Sequence, residues 1–384
     1  MLITPYTIAK SRTGGVLSRL LSRTDLELVG VRMFAADGAF AEKYAETLRG
    51  RSPGDQFALL ADYVEQNIAP SGGQSRRCLL LLFRGKSPCE KLLGVCGQVN
   101  TQPMEVHAMS GETIRDTYAD LILDADRPGK ARYFEPAVIT VRSLKEANED
   151  LLMMADFFEG KGNTVRGLAY RNSSKVERTL VILKPDNWTY NSSRPGAIVD
   201  IFSRTGLRIV GVKIHRFSLA QAMEFYNPVK GVMRNRLAGV FGQQAKELLE
   251  KEFEIELGEE TSKAITETFG ADCAANEFAR LVEFMSGRCP CSHSQEDIWK
   301  PGDVKCMILV YEGEGAVAKI RDVLGPTNPA DAPDGTVRRE FGTTVMINTA
   351  HASDSTESFM REKEIVKIEE NTLGAIIRKH LNKG

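Results

Sequence analysis

Leu21-Ser-Arg-Thr-Asp-Leu-Glu-Leu-Val-Gly-Val-Arg-Met33 and Phe202-Ser-Arg-Thr-Gly-Leu-Arg-Ile-Val-Gly-Val-Lys-Ile214 match almost position by position. An internal repeat of this length means that one structural unit is built twice. In each copy a short helix ends near the Arg-Thr pair, a β-branched strand of alternating character follows, and a further helix carries Tyr44 or Tyr226. Outward from the first copy, the pattern predicts a helix around residues 54–66, a buried strand Cys78–Phe83, a short helix near 87–95 and a last strand Ala137–Val141. The second copy predicts Leu180–Leu183, a helix from Pro195, Leu207–Ile214, further helices, Cys306–Tyr311, a helix through Ile320 and a strand Val345–Ile347.

That order is β-α-β-β-α-β twice. It predicts an α/β (α+β) chain of two tandem ferredoxin-like βαββαβ domains, with antiparallel sheets, helices packed on one face and helical insertions. The polar, glycine-bearing stretch from Glu159 to Ser174 reads as a linker. The expected domains are therefore 1–176 and 177–384.

A length of 384 residues suits two domains of ordinary size. With 50 basic and 51 acidic residues the net charge is −1, which gives no electrostatic case for a nucleic acid or a membrane surface as partner. The longest apolar run, Cys78 to Phe83, is far short of a membrane span. Seven cysteines without framework spacing, and no N-terminal signal peptide, point to a reducing cytoplasm. The insert Arg288-Cys-Pro-Cys-Ser-His-Ser leaves two readings open. Cys289, Cys291 and His293, with Cys306 or Cys273, could hold a metal, or the insert is an irregular loop with free thiols.

Chemistry concentrates near the C-terminus, in Leu324-Gly-Pro-Thr-Asn-Pro-Ala-Asp-Ala-Pro-Asp-Gly-Thr-Val-Arg338 and Asn348-Thr-Ala-His351-Ala-Ser-Asp-Ser355. The first part is a turn-rich loop with donors that can wrap an anion. In the second, Val345, Met346 and Ile347 read as a strand, and Asp354 with Glu357 as a capping box opening a helix at about Ser355. His351 then sits at the mouth of a strand-to-helix turn, where free N–H groups favour a phosphate. Arg321, Thr327, Arg338, Asn348 and Ser353 supply further donors. Glu362, about two helical turns beyond Ser355, is a carboxylate able to point back and fix the imidazole tautomer, leaving the other ring nitrogen as nucleophile.

These residues carry a family resemblance. Asn348-Thr-Ala-His351-Ala-Ser-Asp-Ser355, the loop Gly325 to Arg338, and Thr179-Leu-Val-Ile-Leu-Lys184-Pro-Asp186 together resemble the signature of the nucleoside diphosphate kinases. The resemblance implies transfer of the γ-phosphate of a nucleoside triphosphate to a nucleoside diphosphate, in two half-reactions through a phosphohistidine on His351. It implies that Lys184, Arg321, Thr327 and Arg338 hold the phosphates and Asn348 meets the sugar hydroxyl. Tyr226 and Glu362 would hold the histidine with Ser353 hydrogen-bonded nearby, and Phe278 and Leu281 would line the base site. Mg2+ would bridge the diphosphate oxygens, with Asp354 either helping to place it or only capping the helix. The implied partners are ATP and nucleoside diphosphates, and the implied assembly is a homo-oligomer built from intrachain pseudo-dimers.

The two copies differ. Lys10, Tyr44 and Arg115 match Lys184, Tyr226 and Arg338, but the expected histidine position falls around Val141 to Ser143, and His107 precedes Arg115 rather than following it. The first copy therefore reads as a degenerate domain that packs against the second or senses nucleotide through Lys10 and Arg115. The second copy carries a helical insertion at about 229–276, and a family aromatic has become Glu277. These departures keep open a weakly active or inactive nucleotide-binding regulatory or scaffold protein, and phosphotransfer from His351 to another protein.

Overall fold

The computed structural model describes residues 1–51, 55–99, 111–123, 131–290, 294 and 296–382. It has two compact units, Met1–Ile214 with Met307–Lys363 and Lys367–Gly384, and His215–Cys306 with Glu364–Val366.

The first unit is built on the strands β1 (Leu2–Ile3), β2 (Glu27–Ala35), β3 (Arg77–Arg84), β4 (Asp120–Leu123), β5 (Ala131–Glu135), β6 (Val138–Ile139), β7 (Val176–Leu183), β8 (Arg208–His215), β9 (Cys306–Glu314) and β10 (Ala350–Ala352). They form a sheet of order β2-β3-β1-β6, a sheet of order β10-β7-β9-β8, and the hairpin β4-β5. Numbered within its own half, each four-stranded sheet has the order second, third, first, fourth. The pairs of β1 with β3 and β6, β2 with β3, and β7 with β9 and β10 are antiparallel. This is the mixed, antiparallel architecture that the repeat predicts; the hairpin β4-β5 was not foreseen.

Burial explains the strands. Leu180, Val181, Ile182 and Leu183 are all fully buried, as a continuous apolar run between two covered faces requires. One core cluster joins Val16, Leu17 and Leu20 of the first half to Val199, Phe202 and Tyr311 of the second. Here the helices Thr13–Arg23 and Arg194–Ser203 approach closely enough to require glycine. A Cβ on Gly196 would lie 2.3 Å from the Ser18 nitrogen, and one on Gly14 would lie 2.5 Å from the Asp200 nitrogen.

The segment read as a linker is tied down. Val165 N–H donates to Val210 (2.8 Å) and Asn163 Nδ2 to Val212 (3.2 Å), so the chain runs along β8 and covers the edge of its sheet. Arg32 is buried on β2 and donates to the carbonyls of Lys161 (3.0 Å) and Gly162 (2.7 Å) and to Asn371 Oδ1 (2.6 Å). Asn371 in turn caps the helix Thr372–Leu381 by accepting from Gly374 N–H (3.0 Å).

The last strand differs from expectation. Residues 345–347 are not a strand; Val345 is 57% exposed, and the segment is a turn in which Thr343 N–H donates to the Ile347 carbonyl (2.9 Å). Thr349 then takes a positive φ of 73°, and β10 begins only at Ala350. His351 is consequently inside the strand, opposite Ile182, rather than after it. The following helix, Thr356–Ile365, has Ser355 Oγ accepting from Ser358 N–H (3.1 Å), one residue later than the Asp354 cap expected.

The second unit is helical: Leu219–Phe253, Glu259–Ile265, the π-helical turn Thr266–Gly270, and Ala271–Ser286. Its long helix opens with a reciprocal capping box between Ser218 and Gln221 and runs through Pro228. Among the described residues no helix is long and apolar enough to cross a membrane.

Candidate active site

The strand β10 and the helix Thr356–Ile365 place a hydrogen-bonded chain of three side chains. His351 Nε2 lies 3.0 Å from Glu362 Oε1, and Ser353 Oγ donates to Glu362 Oε2 at 2.7 Å. Glu362 and Ser353 are buried while the imidazole is half-buried, so the carboxylate is shielded and the ring keeps a path to solvent. The Ser353 amide donates to the Leu180 carbonyl at 3.0 Å, which locks the strand to β7 beside the histidine. Arg361 Nη2 is 3.6 Å from Glu362 Oε1. A carboxylate accepts, so Nε2 carries the proton and the lone pair falls on Nδ1.

A second cluster adjoins β7. Lys184 follows its last residue and is buried; its Nζ donates to Asn348 Oδ1 at 2.6 Å and to the Met346 carbonyl at 3.3 Å. Asn348 Nδ2 donates to the carbonyls of Thr327 (3.0 Å) and Val345 (2.8 Å), joining the turn-rich loop to the strand. Arg338 donates to the carbonyls of Gly325 (2.9 Å) and Ala350 (3.1 Å), the latter one residue before His351. Asp354 is held below the usual carboxylate range, first by a hydrogen bond from Ser358 and more weakly by the charges of Arg321 and His351. The Ser358 contact favours its reading as a helix-terminus residue, and the weaker influences put Arg321 and His351 each within electrostatic reach of Asp354.

Lys184, Arg321, Thr327, Arg338, Asn348, His351, Ser353, Asp354 and Glu362 thus share the first unit. Tyr226, Phe278 and Leu281 belong to the second, all buried: Tyr226 on Leu219–Phe253, the other two on Ala271–Ser286. Glu277 pairs with Arg280 at 2.7 Å. His107, Cys291 and His293 lie outside the described residues, and among the described residues no group of three His, Cys, Asp or Glu could hold a metal ion.

Two residues, Asn187 and Arg194, were missed from the sequence, and Asp186 was read only as part of the Lys184 motif. Asn187 Nδ2 donates to the carbonyls of Thr349 (2.7 Å) and Lys184 (3.0 Å). Arg194 Nη2 lies 2.6 Å from Asp186 Oδ2, 2.7 Å from Thr349 Oγ1 and 2.8 Å from the Phe341 carbonyl. Burial pushes the Asp186 carboxyl up, while Arg194 and Lys184 pull the other way. Together they hold the positive-φ residue Thr349 in place. The opposite charges of Asp186 and Arg194 after a Lys-Pro pair were the only signal available.

The first half reproduces the backbone of this site and its arginine, without the lysine or the histidine. Thr4 N–H donates to Ala137 (3.2 Å) as Lys184 N–H donates to Thr349 (2.9 Å), and Ala137 also has positive φ, 61°. Arg115 donates to Gly97 and Val138 as Arg338 does to Gly325 and Ala350. Two alignments from sequence need correction. Thr4, not Lys10, occupies the place of Lys184, because a helix starts at Pro5 and carries Lys10 to its far end. The histidine position is Ile139, opposite Leu2, rather than Val141 to Ser143.

Comparison with known proteins adds an independent line. The family model for nucleoside diphosphate kinase matches residues 177–236 and 238–371. The nucleoside diphosphate kinase of Cereibacter sphaeroides is 33% identical over 187 residues, 49% of this chain and 90% of that protein. That of Methylorubrum populi is 34% identical over 182 residues, 47% of this chain and 86% of that protein. A crystal structure of the Aquifex aeolicus nucleoside diphosphate kinase is 27% identical, covering 50% of this chain and 94% of that one with a TM-score of 0.31.

Proposed function

The chain belongs to the nucleoside diphosphate kinase family, and from that premise we propose that it transfers the γ-phosphate of ATP to nucleoside diphosphates through His351. The observation that carries this reading is the Ser353–Glu362–His351 chain, which fixes the tautomer and leaves Nδ1 to attack. In the first half-reaction the Nδ1 lone pair forms an N–P bond as the bond from the γ-phosphorus to the β,γ-bridging oxygen breaks, and ADP leaves with that oxygen. The ring becomes cationic, and the Glu362 carboxylate offsets the charge. In the second, a terminal oxygen of the acceptor diphosphate takes the phosphoryl group and the imidazole is restored.

Phosphoryl transfer needs mainly positioning and charge neutralisation. Lys184, Arg321, Thr327 and Arg338 are our candidates for the phosphate cradle, and Asn348 for the sugar hydroxyl. Tyr226, Phe278 and Leu281 belong to the helical unit, and their roles toward the histidine and the base are those the family resemblance implies. The donor set fits Mg2+ held chiefly by substrate phosphates, since Asp354 is an exposed, ionised carboxylate and such ions take one or two carboxylates beside phosphate oxygens. Bound there, Mg2+ would supply charge neutralisation.

In this reading the enzyme is cytoplasmic, with a catalytic domain 177–384 and a degenerate domain 1–176 lacking the nucleophile. The two pack as an internal pseudo-dimer from which a homo-oligomer can be built. Initial-rate measurements with varied ATP and GDP test the mechanism. Parallel double-reciprocal lines are expected, and intersecting lines would contradict a two-step transfer.

A further inference from the structure

Two adjacent cavities of about 330 Å3 and about 260 Å3 in the first unit share Ala9, Arg77 and Arg208. None of the His351 site residues lines either one. Arg76, Tyr63 and Glu135 line the larger, and Tyr311 the smaller.

The charges are unbalanced. Arg77 donates to the Ile209 carbonyl (2.9 Å), Arg208 to that of Ala169 (2.8 Å) and Arg76 to that of Gln66 (2.6 Å). Among the described residues no carboxylate lies within ion-pair distance of these three guanidiniums. Glu312, the acid whose charge reaches Arg77, is already held by Arg178 Nε (2.6 Å) and the Tyr170 hydroxyl (2.7 Å). Arg208 lies over the Tyr170 ring at 4.5 Å, which fixes its plane. Burial, and next the charge of Arg208, draw Arg77 down to about 10. Tyr311 is buried and its hydroxyl has no hydrogen-bond partner. A half-buried cation beside a second one, next to a buried hydroxyl without a partner, is a costly arrangement unless an anion joins it.

We propose that this cleft is a second anion site, separate from His351, which binds the phosphate group of a small phosphorylated ligand between Arg77 and Arg208. A phosphate dianion matches two guanidinium charges, and each planar fork can meet two of its oxygens. The larger cavity is the size of a small-molecule site and takes the rest of the ligand, beside Tyr63 and Glu135. The proposal does not depend on phosphotransfer at His351.

The test uses the full chain with inorganic phosphate and glycerol 3-phosphate as probes, read by the concentration dependence of thermal unfolding. Both probes should stabilise the wild type. Arg208→Ala should weaken binding about tenfold or more, as loss of a charged hydrogen-bonding partner does, and Tyr311→Phe should weaken it less. Lys184→Ala, which weakens phosphate binding at the other site, should still be stabilised by both probes. No stabilisation of the wild type, or stabilisation of Lys184→Ala that survives the addition of Arg208→Ala, would overturn the proposal. Phosphate bound with glycerol 3-phosphate excluded would overturn the assignment to a phosphorylated ligand. Crystals soaked in tungstate locate the site without any variant: a peak between Arg77 and Arg208 is expected, and none there would overturn it.

Discussion

His351 Nε2 faces Glu362 Oε1 at 3.0 Å while the other oxygen of that carboxylate accepts from Ser353 at 2.7 Å. Both acceptor atoms are therefore committed, and the carboxylate cannot turn away from the ring. Glu362→Gln keeps the shape but loses the charge-assisted bond, and should lower the transfer rate about ten- to a hundredfold. Steady-state rates checked against an unchanged melting temperature measure this.

Asn348 Oδ1 accepts a hydrogen bond from the buried Lys184 ammonium at 2.6 Å. Asn348→Ala should cost about 1–3 kcal/mol of stability and raise KM for the diphosphate. Denaturant unfolding and acceptor titration report the two effects separately. A variant with normal KM would place Asn348 in a purely structural role.

Much of this was legible in the sequence, and the failures have physical causes. The repeat disclosed two sheets of the same strand order because strand burial follows apolar runs such as Leu180–Leu183. The apolar run Val345–Ile347 misled, because Thr349 at φ 73° delays the strand and leaves those residues in a turn. Local composition does not reveal a positive φ at a β-branched residue. Lys10 was misaligned with Lys184 because both are lysines near a first strand, whereas the hydrogen bond from Thr4 to Ala137 sets the true register. The segment from Glu159 looked like a linker by composition, yet the long-range bonds of Asn163 and Val165 fix it.

Glu135 offers a pH prediction. Burial lifts its carboxyl from 4.5 to about 7, with Asp120 adding to the lift and Tyr63, Arg76 and Arg12 opposing it. A folded value above the unfolded one means that its contribution is present below 4.5 and lost as pH rises through about 7. Glu135→Gln removes that loss. Its melting temperature should exceed the wild type at about pH 8 and match it at about pH 4. Equal melting curves at both would contradict the burial argument.

The helix contact at Gly196 predicts opposite outcomes for one chemical change. Gly196→Ala places a methyl group 2.3 Å from the Ser18 nitrogen and should destabilise by about 1–3 kcal/mol. Gly94, exposed in the helix Pro88–Cys96, has no atom near its missing Cβ, and Gly94→Ala should stabilise by about 0.4–1 kcal/mol. Chemical denaturation of both variants measures the difference.

The central claim is that His351 carries the phosphoryl group between nucleotides. Protein incubated with γ-labelled ATP and Mg2+, then freed of nucleotide, should retain an acid-labile, alkali-stable label that leaves on adding GDP and is absent from His351→Ala. Nucleotide bound without any such label, or a label that persists in His351→Ala, would contradict it.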